Sequence, residues 1–268
     1  MKKKLIILLI LLLFLTGCSK TIFEGSYKYD DSAYTFGNTT LTSESIKTIN
    51  VEWLVGKIII IKQNTNELII KEQIDTTSEN YKLGWKVIND TVDVKFMPST
   101  DYLKNNFRIK DLYLYIPSYI EAINIKANKT NSIQGKDLNI NTLSIEGQDT
   151  FIDLSNSNID NLEIKTNSDY IFLMDNKIKK INIETTQSNI GLGVYNNLEE
   201  LKIKTETGNI SLYPKEDFDC TINFKTISGS FITNLNHKQE NNNYIFNKGT
   251  NKFYIESTKG SVKVHNPI

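Results

Sequence analysis

The stretch Leu143-Ser144-Ile145-Glu146-Gly147-Gln148-Asp149-Thr150-Phe151-Ile152-Asp153-Leu154 decides the fold. It reads apolar, x, apolar, x, small, three polar residues, x, apolar, x, apolar. The phrase returns from Leu162, Ile181, Leu201, Ile222 and Phe253, with a weaker copy from Ile123, at spacings of 19 to 21 residues until one step of 31. The first position (Ile123, Leu143, Leu162, Ile181, Leu201, Ile222, Phe253) and the third (Ile125, Ile145, Ile164, Ile183, Ile203, Phe224, Ile255) are apolar throughout. The tenth and twelfth run Ile152, Ile171, Ile190, Ile210, Phe231, Val262 and Leu154, Leu173, Leu192, Leu212, Thr233, Val264, while Ser132 and Gln134 break both columns in the weak copy.

Alternate side chains of a strand point to opposite faces, so these four columns share one interior. Ordering one such coil costs more than its four or five buried aliphatics return. Coils this short must therefore stack, each adding a parallel ladder and extending the apolar column. The expectation is an all-β, single-domain parallel β-solenoid of about 20 residues per coil. Parallel crossovers are overwhelmingly right-handed, which makes a right-handed β-helix the expected form.

The outward fourth position reads Lys126, Glu146, Lys165, Glu184, Lys204, Lys225, Glu256. Opposite charges alternate at nearly every step, an arrangement that rewards the correct register and penalises a slip of one coil. The fifth position is a ladder of Thr166, Thr185, Thr205, Thr226 and Ser257 with inward parity, placed to satisfy backbone groups at a corner. An outward ladder of this kind would suit ice binding, which the parity disfavours.

The N-terminus gives an address. Three lysines precede the apolar run Leu5 to Leu15, too short to span a membrane but flanked like a signal peptide. Leu15-Thr16-Gly17-Cys18 resembles the lipobox of bacterial lipoproteins; an ordinary secretory signal with a chance cysteine is the competing reading. The resemblance implies cleavage before Cys18, lipidation of its thiol, and extracytoplasmic anchoring to the membrane. The division expected is 1–17 signal peptide, 18–45 lipidated tether and 46–268 solenoid. The 31 basic and 31 acidic residues balance until Lys2, Lys3 and Lys4 are removed, which leaves a formal charge of about 3 negative. Nucleic acid, which needs a basic stripe, is not an expected partner. With Cys18 lipidated, Cys220 remains alone, two residues before Ile222 and so expected as a buried, inert thiol.

The N-terminal half carries irregular versions of the phrase. Ile49, Val51, Trp53, Gly56, Ile58 and Ile60 fit it, as do Leu83, Trp85, Val87, Asp90, Val92 and Val94, while Leu68 and Ile70 begin a copy that fades. Asp101 to Lys110 reads as a polar excursion, followed by Leu112-Tyr113-Leu114-Tyr115-Ile116-Pro117, a strand ended by a proline. Near the C-terminus, 234–252 interrupts the stack; its alternation suggests an extra hairpin capping the open end, with a binding loop as the alternative.

The early Ile49-x-Val51-x-Trp53-x-x-Gly56-x-Ile58-x-Ile60, the mid-chain Leu112-x-Leu114-x-Ile116-Pro117, and the corners Thr207-Gly208, Ser228-Gly229 and Lys259-Gly260 resemble the bacterial "putative adhesin" domain family. The resemblance covers about residues 45–265. It implies a β-solenoid in a cell-envelope setting and brings no catalytic residues.

Chemistry-bearing constellations are sparse. The histidines are His237 and His265, and no spacing resembles a zinc site, a phosphate loop or a Gly-x-Ser-x-Gly turn, so no cofactor, metal or catalytic residue is expected. Asp149, Asp153 and Asp169 fall near one another on adjacent coils, where carboxylates could hydrolyse a glycoside or hold calcium, but the next coil substitutes Gln187, Gly191 and Ser188. The candidate binding face is aromatic: Phe151, Tyr170 and Phe172 at outward positions of neighbouring coils, with Tyr113 and Tyr115 of outward parity on their strand. Such rings can stack on a glycan or seat a protein partner, unless an N-terminal segment covers them. The functional expectation is a non-enzymatic surface lipoprotein in adhesion or scaffolding; the alternatives are an envelope-stress or signalling accessory docking a membrane partner, and a polysaccharide-active β-helix enzyme.

Overall fold

A computed structural model describes residues 26–74, 79–100, 110–167, 170–215 and 217–266. The expected signal peptide and Cys18 lie outside the described residues. The chain divides into two units, Met1–Asp30 with Ser99–Arg108, and Asp31–Pro98 with Ile109–Ile268. In the first, Tyr27 and Thr100 exchange backbone hydrogen bonds of 3.0 and 2.8 Å, and the Tyr29 amide donates to Ser99 Oγ at 3.3 Å.

The second unit is the solenoid. Each coil contributes one strand to a 13-stranded sheet and one to an 11-stranded sheet, and within the stack the pairing is parallel. Leu143 pairs with Ile123 and Leu162, Leu162 with Ile181, Ile181 with Leu201, and the tenth-position column pairs likewise from Ile152 to Ile171, Ile190 and Ile210. These residues are at most 2 % exposed, so the four columns form one continuous core between the sheets. The break in the weak copy is a one-residue shift. Ile133 and Gly135, not Ser132 and Gln134, pair with Ile152 and Leu154, because the preceding corner holds an extra residue at Lys129, φ +51°.

Stacking order follows chain order only in the middle. Asn251–Ser257 lies between Glu200–Thr207 and Cys220–Thr226, and Val262–Val264 lies between Ile210–Pro214 and Phe231–Thr233. The coil from Phe253 is thus inserted before the coil from Ile222, and the latter is outermost. The other end mirrors this: Thr48–Trp53 sits between Thr91–Lys95 and Ala122–Asn128, and Gly56–Lys62 between Asp111–Ile116 and Thr130–Lys136.

Antiparallel strands cap the ends. Asn243–Phe246 pairs with the outer edge of Cys220–Thr226 and carries Lys238–Glu240 beyond it, so 234–252 does supply a hairpin over that edge. At the other end Gly84–Ile88 folds back on Thr91–Lys95. The span from Leu83 to Val94 is therefore a hairpin, not a coil: only Asn89 and Asp90 separate its strands, Asn89 takes φ +54°, and two residues cannot carry a crossover to the opposite sheet. Leu68–Gln73 likewise runs antiparallel to Asp111–Ile116. Thr35–Phe36 and Thr39–Leu41 add edge strands, so the ordered body starts before residue 46.

Corner chemistry explains the glycines. A Cβ on Gly208 would lie 2.0 Å from Ser188 O, on Gly260 1.8 Å from Gly208 O, and on Gly229 2.0 Å from Gly260 O, so backbone passes over backbone where no side chain fits. The hydroxyl ladder satisfies the same corners. Thr205 Oγ1 donates to Thr207 O at 2.6 Å, and Ser257 Oγ accepts from the Gly260 amide at 2.7 Å. Thr226, on the outermost coil, is exposed, unlike its inner counterparts.

Of the polar excursion expected over 101–110, residues 101–109 lie outside the described residues, and Lys110 departs from it. It is 1 % exposed, its Nζ sits 2.5 Å from Glu72 Oε2 and donates to Tyr81 O at 2.6 Å, and it lies 4.5 and 5.0 Å from the ring centroids of Phe96 and Trp53. Pairing, hydrogen bonding and two ring faces together offset the cost of burying the charge. Burial still lowers its pKa to about 8, against the opposing pull of Glu72.

Candidate functional site

The outward face of the 11-stranded sheet holds all five candidate aromatics, in two groups. Pairing of Ile152 with Ile171 sets Phe151 beside Tyr170, and Phe172 stands between Asp153 and Gly191 on its two neighbours. Phe172 spreads over Gly191, where an added Cβ would come within 3.0 Å of its ring carbons. Phe151, Tyr170 and Phe172 are 38 %, 54 % and 45 % exposed. Strands with inward Ile152, Leu154, Ile171 and Leu173 fix the backbone beneath them, so the rings project from a packed floor.

Tyr113 and Tyr115 are separate from this trio. The row runs Tyr113, Ile59, Gln134, Asp153, Phe172, which places Tyr113 four strand spacings, about 19 Å, from Phe172. Both tyrosines are half-buried, their rings stacked at 6.5 Å and 15°, and the Tyr113 hydroxyl donates to Gln73 Oε1 at 3.1 Å. They join residues that parity-based reading passed over: Ile59 and Ile61 pair with Tyr113 and Tyr115, and Ile69 also pairs with Tyr115. The signal was present in Ile58-Ile59-Ile60-Ile61, four consecutive isoleucines that cannot all face one core.

The two described members of the acidic set occupy different settings. Asp149 is exposed at a left-handed corner, φ +50°, whereas Asp153 is half-buried in mid-strand beside Phe172. Asp169 lies outside the described residues. Among the described residues no group of three His, Cys, Asp or Glu side chains is placed to hold a metal ion. Burial pushes the Cys220 thiol far up, with Asp219 acting in the same direction, as befits an inert core cysteine. His265 stacks on Tyr213 at 4.2 Å, and burial, then Lys263, lower its pKa. No helix among the described residues is long and apolar enough to cross a membrane.

Paired parallel sheets closed around one apolar core, with aromatics on one outer face, define a β-solenoid. The chain belongs to the Toastrack DUF4097 family, which it matches over residues 54–265. Solved structures similar to it include one described as a putative cell adhesion protein from Clostridium sporogenes, at 13 % identity and TM-score 0.37, covering 86 % of this chain and 99 % of that one. Structures described as putative adhesins come from Bacteroides fragilis (11 %, 0.40, covering 86 % and 97 %) and Parabacteroides merdae (11 %, 0.37, covering 87 % and 97 %). No curated protein matches the chain.

Proposed function

We propose that this protein is a lipid-anchored, non-enzymatic module of the extracytoplasmic surface whose solenoid presents a binding face for adhesion or scaffolding. The observation that carries the reading is the trio Phe151, Tyr170 and Phe172, exposed together on a rigid sheet face. Aromatic rings held this way offer a partner large contact area at little entropic cost. The anchor rests on Leu15-Thr16-Gly17-Cys18.

Two measurements test it. Beads coated with the protein should adhere to a protein- or glycan-coated surface, with adhesion reduced at least tenfold by Tyr170→Ala/Phe172→Ala; equal adhesion by the variant removes the face from the proposal. Expressed in a bacterial host, the chain should take up radiolabelled fatty acid and sediment with membranes, and Cys18→Ser should abolish both.

A further inference from the structure

The coils carry a short third side, and there the chain builds a trough lined by side-chain amides. Three successive strands run long, Asn139–Gln148, Asn158–Thr166 and Lys177–Gln187, while those on either side begin only at Ala122 and Glu200. Their first residues pair Asn158 with Asn139 on one side and Lys177 on the other, and Ile159 with Ile140 and Ile178, and the pairing skips Asn141, Asp160 and Lys179. The isoleucines face the core, so Asn139, Asn158 and Lys177 face out. In the following coil a turn replaces the short strand, with the Leu198 amide donating to Tyr195 O at 3.1 Å, and Tyr195, Asn196 and Asn197 wall the trough at that end.

The lining has a definite chemistry. The side chains of Asn139, Asn141 and Asn158 line the trough and are exposed to solvent, whereas Asn197 Oδ1 is shut off from solvent and has no hydrogen-bond partner. Lys179 and Asp160 neutralise each other at 2.7 Å, which leaves the floor nearly uncharged apart from Lys177. A carboxamide offers one donor and one acceptor side by side, the complement of two vicinal hydroxyls. Asn139 and Asn158 repeat that offer one strand spacing apart, about 4.8 Å. An added peptide strand finds no free backbone at the centre of the trough, where Asn158–Ile159 is paired on both flanks, while Asn139–Ile140 and Lys177–Ile178 each have a strand partner on one flank.

We infer that this trough is a saccharide site, taking a neutral oligosaccharide laid along the stack with its hydroxyls on Asn139 and Asn158 and a ring face toward Tyr195. The site is distinct from the aromatic trio and does not depend on it.

The test is calorimetric titration of the detergent-solubilised full chain with cellohexaose, chitohexaose and maltohexaose. At least one should bind, Asn139→Leu/Asn158→Leu should weaken it at least tenfold at unchanged melting temperature, and Tyr170→Ala/Phe172→Ala should leave it unchanged. In wild-type protein the side-chain NH₂ resonances of Asn139 and Asn158 should shift with the same saccharide, a readout that survives if the double variant folds poorly. Failure of all three sugars to bind, or unshifted amide resonances, overturns the inference. Binding abolished by the aromatic variant instead places the sugar on that face, overturning the trough while leaving the adhesion reading intact; wild-type beads that do not adhere, with saccharide still bound at the trough, overturn the adhesion reading alone.

Discussion

The middle of the stack and its two ends obey different rules. From Asn139 to Leu212 each coil lies beside its sequence neighbours, whereas at both ends one coil is displaced outward past another. The outward fourth-position charges show what selects the difference. In chain order, extended to Glu52 and Lys95, like charges meet at Lys95 and Lys126 and again at Lys204 and Lys225. In space the column reads Lys95, Glu52, Lys126, Glu146, Lys165, Glu184, Lys204, Glu256, Lys225, with opposite charges at every step. The two inversions remove both like-charge contacts. Each exposed pair contributes little, and side chains also turn to their own strand, as Lys165 does to Glu163 at 3.3 Å. The column therefore discriminates between stacking orders more than it adds stability.

The largest break in this comparison comes from the inserted coil. Phe253 is 1 % exposed with a coil on either side. Phe253→Ala should cost about 3–5 kcal/mol in denaturant unfolding, and hydrogen exchange should quicken in both Glu200–Thr207 and Cys220–Thr226. Acceleration in only one of those strands would contradict the insertion.

Next comes the buried charge at the opposite end. Glu72→Ala strands the Lys110 ammonium and should cost about 3–5 kcal/mol. Lys110 also predicts a pH response. Its folded pKa, about 8, lies below the ordinary 10.5. Between those values the unfolded chain holds a proton that the folded chain has released, so stability rises with pH, by at most about 3 kcal/mol across the interval. Tyr34 is held up to about 12 by burial, then by Asp93 and Glu52, and acts in the opposite direction above pH 10. The measurement belongs between pH 8 and 10, where Lys110→Met should flatten the slope.

The smallest effect is the sharpest test of order. Glu256→Lys sets three lysines side by side and should cost about 1 kcal/mol at low salt, shrinking as salt is added. Lys225→Glu in that background should recover part of the loss, because Lys225 is a direct neighbour of residue 256. No recovery would mean that the two strands do not adjoin.

Periodicity made the four core columns legible because strand parity alone decides which face a residue takes. Every position read as core from Leu143 to Leu212 is buried. What periodicity cannot supply is the identity of the neighbouring strand. Nothing local distinguishes Leu83–Val94 as a hairpin from a coil except the two-residue span at Asn89 and Asp90, and nothing local places Phe253 before Ile222. The clue to the latter lay in Lys204 followed by Lys225, a flaw in chain order that becomes alternation in space. The left-handed corner residues Asp137, Asn156 and Asp175 were also readable, as Asp or Asn recurring every 19 residues. The aromatic face was legible residue by residue, but its division into two groups required knowing that three strands intervene between Tyr113 and Phe172.

The tucked-in C-terminal coil also sets how the molecule carries load. A pull on the C-terminal end draws Val262–Val264 and then Asn251–Ser257 along their own length, against ladder bonds on both flanks at once. Bonds sheared together resist far more than bonds opened one at a time. A pull on the N-terminal side meets the Tyr27–Thr100 bridge, then the short edge strands Thr35–Phe36 and Thr39–Leu41, then Thr48–Trp53, gripped from two sides. Both outermost coils are spared, since neither holds a chain end that tension could unzip.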